Sequence, residues 1–209
     1  MSVGARPDTG PLLVRPSLAA ERQASERSAH GDDTLAAARQ GAAWAVTALY
    51  REIHPRLLRY LRAREPRMAD DLASEVWVCV ASGLTGFEGS EEGFRAWVFT
   101  IARRRLIDAR RHALRHPTEA LEGCDTGVRA GPEDPQDVAV ATLGAQAAVD
   151  RITSLLTPDQ ADVVLLRILG GLSVGQVADI LGKERSAVRV LQHRALRRLA
   201  EHFPAEADG

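Results

Sequence analysis

Cysteine is scarce in this sequence: Cys79 and Cys124 are the only two among 209 residues. They stand far apart and outside any metal-ligand spacing, which excludes a disulfide-stapled scaffold and a cysteine-based zinc site and fits a reducing compartment. No apolar run approaches the roughly eighteen residues that a bilayer-spanning helix needs, so membrane insertion is not expected. The first twenty residues interleave Arg, Pro, Asp and Ser, a composition foreign to a secretory signal, and the expected location is cytoplasmic. Strand-like alternation is missing throughout. No Ser-His-Asp arrangement or Gly-rich phosphate loop stands out and the six His are scattered, so the expectation is a chain without catalytic residues, metal or cofactor, and not an enzyme. Charge of one sign is also lacking, for the formal net charge is −1. A nucleic-acid surface must therefore be a local basic patch offset by acidic patches elsewhere.

What is present is concentrated between Leu172 and Leu199, LSVGQVADILGKERSAVRVLQHRALRRL. Ser173 and Gln176 have capping-box spacing, which predicts a helix from Val174. Gly182 suits the left-handed residue that ends it. A second helix from about Glu184 turns Val188, Leu191, Ala195 and Leu199 inward and gathers Ser186, Arg189, Val190, His193 and Arg197 outside. Between Lys183 and Arg198 six Lys or Arg face one acid. A helical hairpin with a solvated basic face shares this periodicity. The charge favours a helix-turn-helix that lays its second helix in a DNA major groove.

The remaining chain divides by composition. Residues 1–31, with Pro7, Pro11 and Pro16 and little apolar content, are expected to be a disordered tail. From 32 to 116 the pattern is helical: TLAAARQ, then AAWAVTALYREIHPRLLRYLRAR with a kink or irregularity expected at Pro55, then MADDLASEVWVCVASGL, then FRAWVFTIARRRLIDARRH. The third of these is acidic at Asp70, Asp71 and Glu75, and the fourth ends in a strongly basic stretch. Residues 117–138 are rich in Pro, Gly and acids, the composition of an extended, mobile, negative linker. Residues 139–203 close the chain with a helix, a second capping-box start at Thr157-Pro158-Gln160, and the helix-turn-helix.

These segments together resemble a bacterial sigma-70 family RNA polymerase sigma factor of the extracytoplasmic-function (ECF) type. ALYREIHPRLLRYL is similar to the first sigma-2 helix of that family, DDLASEVW to its polymerase-binding helix, FRAWVFTIARRRLIDARR to its promoter-melting segment, and LTPDQADVVLLRILGGLSVGQVADILG with AVRVLQHRAL to sigma-4. The resemblance implies an all-α fold: a sigma-2 bundle (32–116) and a sigma-4 helix-turn-helix domain (139–203) joined by a flexible linker (117–138). It implies promoter-specific initiation with core polymerase, whose clamp helices and flap are the protein partners, alongside promoter DNA; an anti-sigma factor is a further partner that the family admits.

Residue by residue, the resemblance assigns polymerase binding to Asp70, Asp71, Leu72, Glu75 and Trp77. It assigns the −10 element to Trp97, Arg103, Arg104, Arg105, Arg110 and Arg111, with helical spacing making Trp97 and Phe94 better packing residues than stacking platforms. It assigns the −35 element to Arg185, Ser186, Arg189, His193 and Arg197. The chain departs from the family pattern at Arg104, where Asn is common, at Ser74, where Gln is usual, and at Glu184, where Ser or Thr caps the recognition helix. The alternative reading is a stand-alone helix-turn-helix regulator, which has no need of DDLASEVW or of the basic melting segment.

Overall fold

The computed structural model of the protein describes residues 30–115 and 146–202, and every described regular element is helical. In the first unit these are α1 (30–39), α2 (Ala43–Arg64), α3 (Ala69–Gly83) and α4 (Glu91–Arg115); in the second, α5 (146–154), α6 (Pro158–Ile168), α7 (Val174–Leu181) and α8 (Arg185–His202). The proposed linker and most of the proposed tail lie outside the described residues. At the tail's far end the expectation fails, for α1 already begins at residue 30.

The first unit is a bundle because its apolar residues recur at helical spacing. Along α2 the buried set is Ala45, Leu49, Ile53, Leu57, Tyr60 and Leu61, a stripe that faces Leu72, Val76 and Val80 of α3 and Phe94, Val98, Ala102 and Leu106 of α4 in one core. Pro55 does not divide α2, which runs as one helix of 22 residues. A short 3-10 turn at Pro66–Met68 carries the chain from α2 into α3, and another at Leu84–Gly86 follows α3. α1 contributes Leu35 and Ala38 to this core. Its Asp32 carboxylate accepts a hydrogen bond of 2.7 Å from the Glu91 backbone N–H. A carboxylate on one helix thus caps the N-terminus of another, where unpaired amides and the positive end of the helix dipole favour an anion.

In the second unit both anticipated capping boxes form. Thr157 Oγ1 accepts from Gln160 N while Gln160 Oε1 accepts from Thr157 N, and Ser173 and Gln176 repeat the pattern at α7. Gly182 ends α7 at φ 62°, the left-handed conformation that a side chain resists, and Lys183 N closes the turn onto Ala178 O at 2.9 Å. Val188 and Ala195 of α8 are buried, as the periodicity required.

The two units share one continuous hydrophobic cluster, in which Val163, Leu165, Leu166, Leu169, Leu172 and Val177 join the residues of the first bundle. Gln176 Nε2 donates to the Glu92 carbonyl at 3.2 Å across this boundary.

Candidate polymerase and promoter surfaces

The acidic surface is set by the phase of α3. Ala69, Leu72, Ala73, Val76 and Val80 take its inner stripe, which leaves Asp70, Asp71, Ser74, Glu75 and Val78 outside. Asp70 and Asp71 occupy the first turn, where carboxylates also favour the helix dipole. Asp70 pairs with Arg62 at 3.3 Å and Glu75 with Arg105 at 3.7 Å, both in the open. Leu72 departs from its expected role: at 2% exposure its side chain belongs to the core and offers nothing to a partner. The apolar group beside the acids is instead Val78, at 66% exposure, which the helical pattern did not single out.

Trp77 is half-buried and held from two sides. Its Nε1–H donates to His54 Nδ1 at 3.2 Å, and Tyr50 lies 4.8 Å from its ring while stacking on His54 at 4.6 Å. Accepting at Nδ1 requires a neutral imidazole protonated at Nε2. Burial, the largest influence, lowers the His54 pKa below its ordinary value; Asp70 acts in the opposite sense and Arg62 in the same one. Tyr50 and His54 stand one turn apart on α2, the spacing that was their only sequence signal.

The basic residues of α4 separate by helical phase, since seven residues fall within about 20° of two full turns. Arg104 and Arg111 form one such pair; both are exposed, and neither guanidinium has a partner among the described residues. Arg103 and Arg110 form another and are half-buried on a different side. Arg110 donates to the Arg64 carbonyl and lies 3.4 Å from Glu65, while the Nε of Arg103 finds no hydrogen-bond partner among the described residues. Arg105 leans the other way, onto α3, with its guanidinium 3.0 Å from Cys79 Sγ and close to Glu75. Trp97 is a packing residue first. Its ring stacks on Phe87 at 5.2 Å, touches Phe94 at 5.8 Å and lies so close to Gly83 that a Cβ there would approach it to 2.9 Å.

On α8 every residue anticipated for the −35 element is exposed: Arg185, Ser186, Arg189, His193 and Arg197. Relative to Arg189 they span from about 40° on one side to about 80° on the other at 100° per residue, one broad face. Arg185 folds back over the first turn of α7, its guanidinium 3.4 Å from where a Cβ of Gly175 would stand. Arg197 pairs loosely with Glu201 at 3.7 Å. Leu196, 50% exposed and about 20° from Arg189, shares the face. The sequence reading left it out although its register already belongs to the outward face, because leucine as a residue type is ordinarily buried.

Among the described residues there is no group of three or more metal-ligating side chains, and no helix is long and apolar enough to cross a membrane.

The chain is similar to known proteins in sequence and in fold. Residues 49–116 match the Sigma-70 region 2 family and residues 146–199 match Sigma-70, region 4. The chain is 35% identical over 172 residues to the ECF RNA polymerase sigma factor ShbA of Streptomyces griseus, covering 77% of this chain and 88% of that protein. It is 31% identical to the ECF RNA polymerase sigma factor BldN of Streptomyces coelicolor, covering 88% and 70%. In fold it resembles the sigma factor RpoE of Bartonella quintana, solved with the anti-sigma factor NepR, at a TM-score of 0.57 and 20% identity over 78% of this chain and 98% of that one. With two family segments in order, and a relative of this identity spanned over most of its length, the chain belongs to the ECF sigma factors of the sigma-70 family.

Proposed function

We propose that the chain binds core RNA polymerase through the exposed acids of α3 and directs initiation at promoters read by α4 and α8. The observation that carries this reading is the juxtaposition in one bundle of an acidic helix face and a basic helix, followed by a helix-turn-helix with an outward basic face. Asp70, Asp71 and Glu75 offer carboxylates to a basic partner surface, with Trp77 and Val78 as the apolar complement. Arg104 and Arg111 stand ready for phosphates of the −10 region, and Arg105 joins them when Glu75 finds another partner. Arg185, Ser186, Arg189 and His193 are the side chains for base edges of the −35 element, and Arg197 grips the backbone beyond them.

On this reading the polymerase performs the chemistry, so the chain itself is not an enzyme, needs no cofactor and works in the cytoplasm. A bound anti-sigma factor, as in the RpoE–NepR complex, is the regulator that the resemblance suggests. The test is transcription by core polymerase with fragments of the source genome. Discrete promoter-specific transcripts that need this chain are the expected result; transcripts that start without preference overturn the reading.

A further inference from the structure

Tyr50, His54 and Trp77 form a tight group at the edge of the acidic face. The rings of Tyr50 and His54 stack at 4.6 Å and 13° apart in plane, and Trp77 lies 4.8 Å from Tyr50 and 6.5 Å from His54. A polar tie joins the two helices within this group, the hydrogen bond of 3.2 Å from Trp77 Nε1–H to His54 Nδ1. A half-buried indole that is only packed can change rotamer, whereas one whose N–H is held and whose ring rests on a second aromatic keeps a single orientation. The orientation bears on binding because Asp70 and Trp77 stand seven residues apart on α3, within about 20° of each other around the helix. A partner that takes the Asp70 carboxylate therefore lies over the indole as well. The group is also open on its outer side, where Tyr50 is 38% exposed and Val46, one turn before it, 40%.

We infer that His54 is a positioning residue for polymerase binding: as a neutral acceptor it fixes the Trp77 indole in the orientation that meets the polymerase, and as an imidazolium it releases it. This inference rests on the polymerase reading of α3 given above. The incoming proton binds at Nδ1, the atom that accepts from Trp77, and an imidazolium has two donors and no acceptor. Two N–H groups would then face each other, so the hydrogen bond is lost and the ring turns toward an anion. The groups that face His54 are Tyr50 and Arg62 from its own helix and Trp77 and Asp70 from α3. Asp70 favours the imidazolium; Arg62 opposes it and already holds Asp70 at 3.3 Å. Burial is the largest influence and acts with Arg62, so His54 is neutral at neutral pH and takes its proton in a more acid medium. A polymerase surface that covers the group deepens this burial and makes protonation less favourable still. Proton and polymerase are thereby coupled with opposite sign, and acid weakens the complex.

The test measures the affinity of the full chain for core polymerase at about pH 7.5 and about pH 5.5, a range above the titration of ordinary carboxylates. The variants are His54→Asn, whose amide oxygen takes the place of Nδ1 as an acceptor that does not titrate, and His54→Phe, which keeps a ring and loses the acceptor. H54N is expected to match the parent at the higher pH, and H54F to bind at least about fivefold more weakly there. At the lower pH the parent is expected to fall at least about threefold further than H54N, which shares every titration on the polymerase side. In the free, isotope-labelled chain the Trp77 indole N–H resonance should move between the two conditions in the parent and hold still in H54N. Circular dichroism on the same samples reads folding. Equal pH dependence in the parent and H54N means that the proton on His54 never reaches the polymerase contact, and the inference falls. Parental affinity in H54F at the higher pH means that Trp77 needs no holding, and lost affinity in a folded H54N means that the acceptor is not what holds it. Loss of folding in both variants makes His54 a folding contact and ends the proposal. Failure of the polymerase reading shows separately, as parental affinity in the chain carrying Asp71→Arg with Glu75→Arg.

Discussion

Glu75 of α3 and Arg105 of α4 face each other at 3.7 Å, so the surface assigned to polymerase and the surface assigned to the −10 element meet in a single ion pair. Both side chains are about half exposed, and such a pair contributes little to stability. Its interest is that either partner can be claimed from outside. A basic polymerase group that takes Glu75 leaves Arg105 without its countercharge and with a phosphate as the next available anion. Glu75→Gln is accordingly expected to leave the melting temperature unchanged and weaken binding to core polymerase, while single-stranded DNA binding by the free chain becomes tighter. Titrations followed by fluorescence on the two partners check this. Weakened binding to both would mean that the two surfaces are not coupled through this pair.

A harder test of the acidic surface is Asp71→Arg with Glu75→Arg. Neither side chain enters the core, so the bundle should fold with unchanged helicity. Binding to core polymerase should fall by at least about a hundredfold, since two attractive contacts become repulsive. A pull-down at moderate salt with circular dichroism on the same sample makes the measurement. Retained affinity would reduce these acids to helix-dipole partners.

The Trp77–His54 contact predicts a pH dependence with a defined sign. The folded state holds His54 neutral and lowers its pKa below 6.5, so the unfolded chain binds the proton more readily. Stability from this contact is complete above that value and is lost as the pH falls through it toward the folded pKa. Urea midpoints measured from about pH 7.5 down to about pH 5 should therefore decline, and His54→Phe should remove part of the slope. An identical slope in the variant would assign the decline to other groups. Stability at neutral pH should also fall in His54→Phe, because Trp77 then loses the acceptor of its N–H.

The cap on α4 predicts a local effect from a distant residue. Asp32→Ala should destabilise the first unit by about 1 kcal/mol, the usual worth of a helix N-cap, whereas Asp33→Ala beside it should change little. Thermal unfolding of the two variants distinguishes them. Equal shifts would mean that helix α1 acts through its general charge and not through this one hydrogen bond.

The features legible in the sequence were those written in local chemistry. Thr157–Gln160, Ser173–Gln176 and Gly182 each act within a few residues of themselves, and each does in the structure what its spacing required. The inward stripe of α8 was equally plain, because Val188 and Ala195 obey a single period. What the sequence did not disclose depends on contacts between distant segments. Asp32 reads as a solvated acid until α4 is brought beside it, and His54 as a surface histidine until Trp77 arrives 23 residues later. Leu72 was read as a contact for a partner, and only the phase of α3 against α2 assigns it to the core. The arginines of α4 look alike in sequence; their separation into free and engaged sets follows from which neighbour each turn meets.

The outward face of α8 permits reading to be separated from gripping. Arg189 stands mid-face, four residues beyond the first residue of the helix at Arg185, where a helix docked in the major groove brings side chains to base edges. Arg197 stands two turns further on and already shares its guanidinium with Glu201, a position suited to the phosphate backbone as the helix leaves the groove. Loss of a base contact weakens binding to the cognate −35 sequence by about 1–3 kcal/mol and to a scrambled one very little, whereas loss of a phosphate contact weakens both and lowers the salt slope by about one. Arg189→Ala is therefore expected to narrow the gap between the two duplexes, and Arg197→Ala to lower both curves together. Anisotropy of the full chain with core polymerase on both duplexes, at several salt concentrations, resolves the two behaviours. Equal losses on cognate and scrambled DNA from Arg189→Ala would show that this helix holds DNA without reading it at that position, and would shift base recognition toward Arg185 and Ser186 in the first turn.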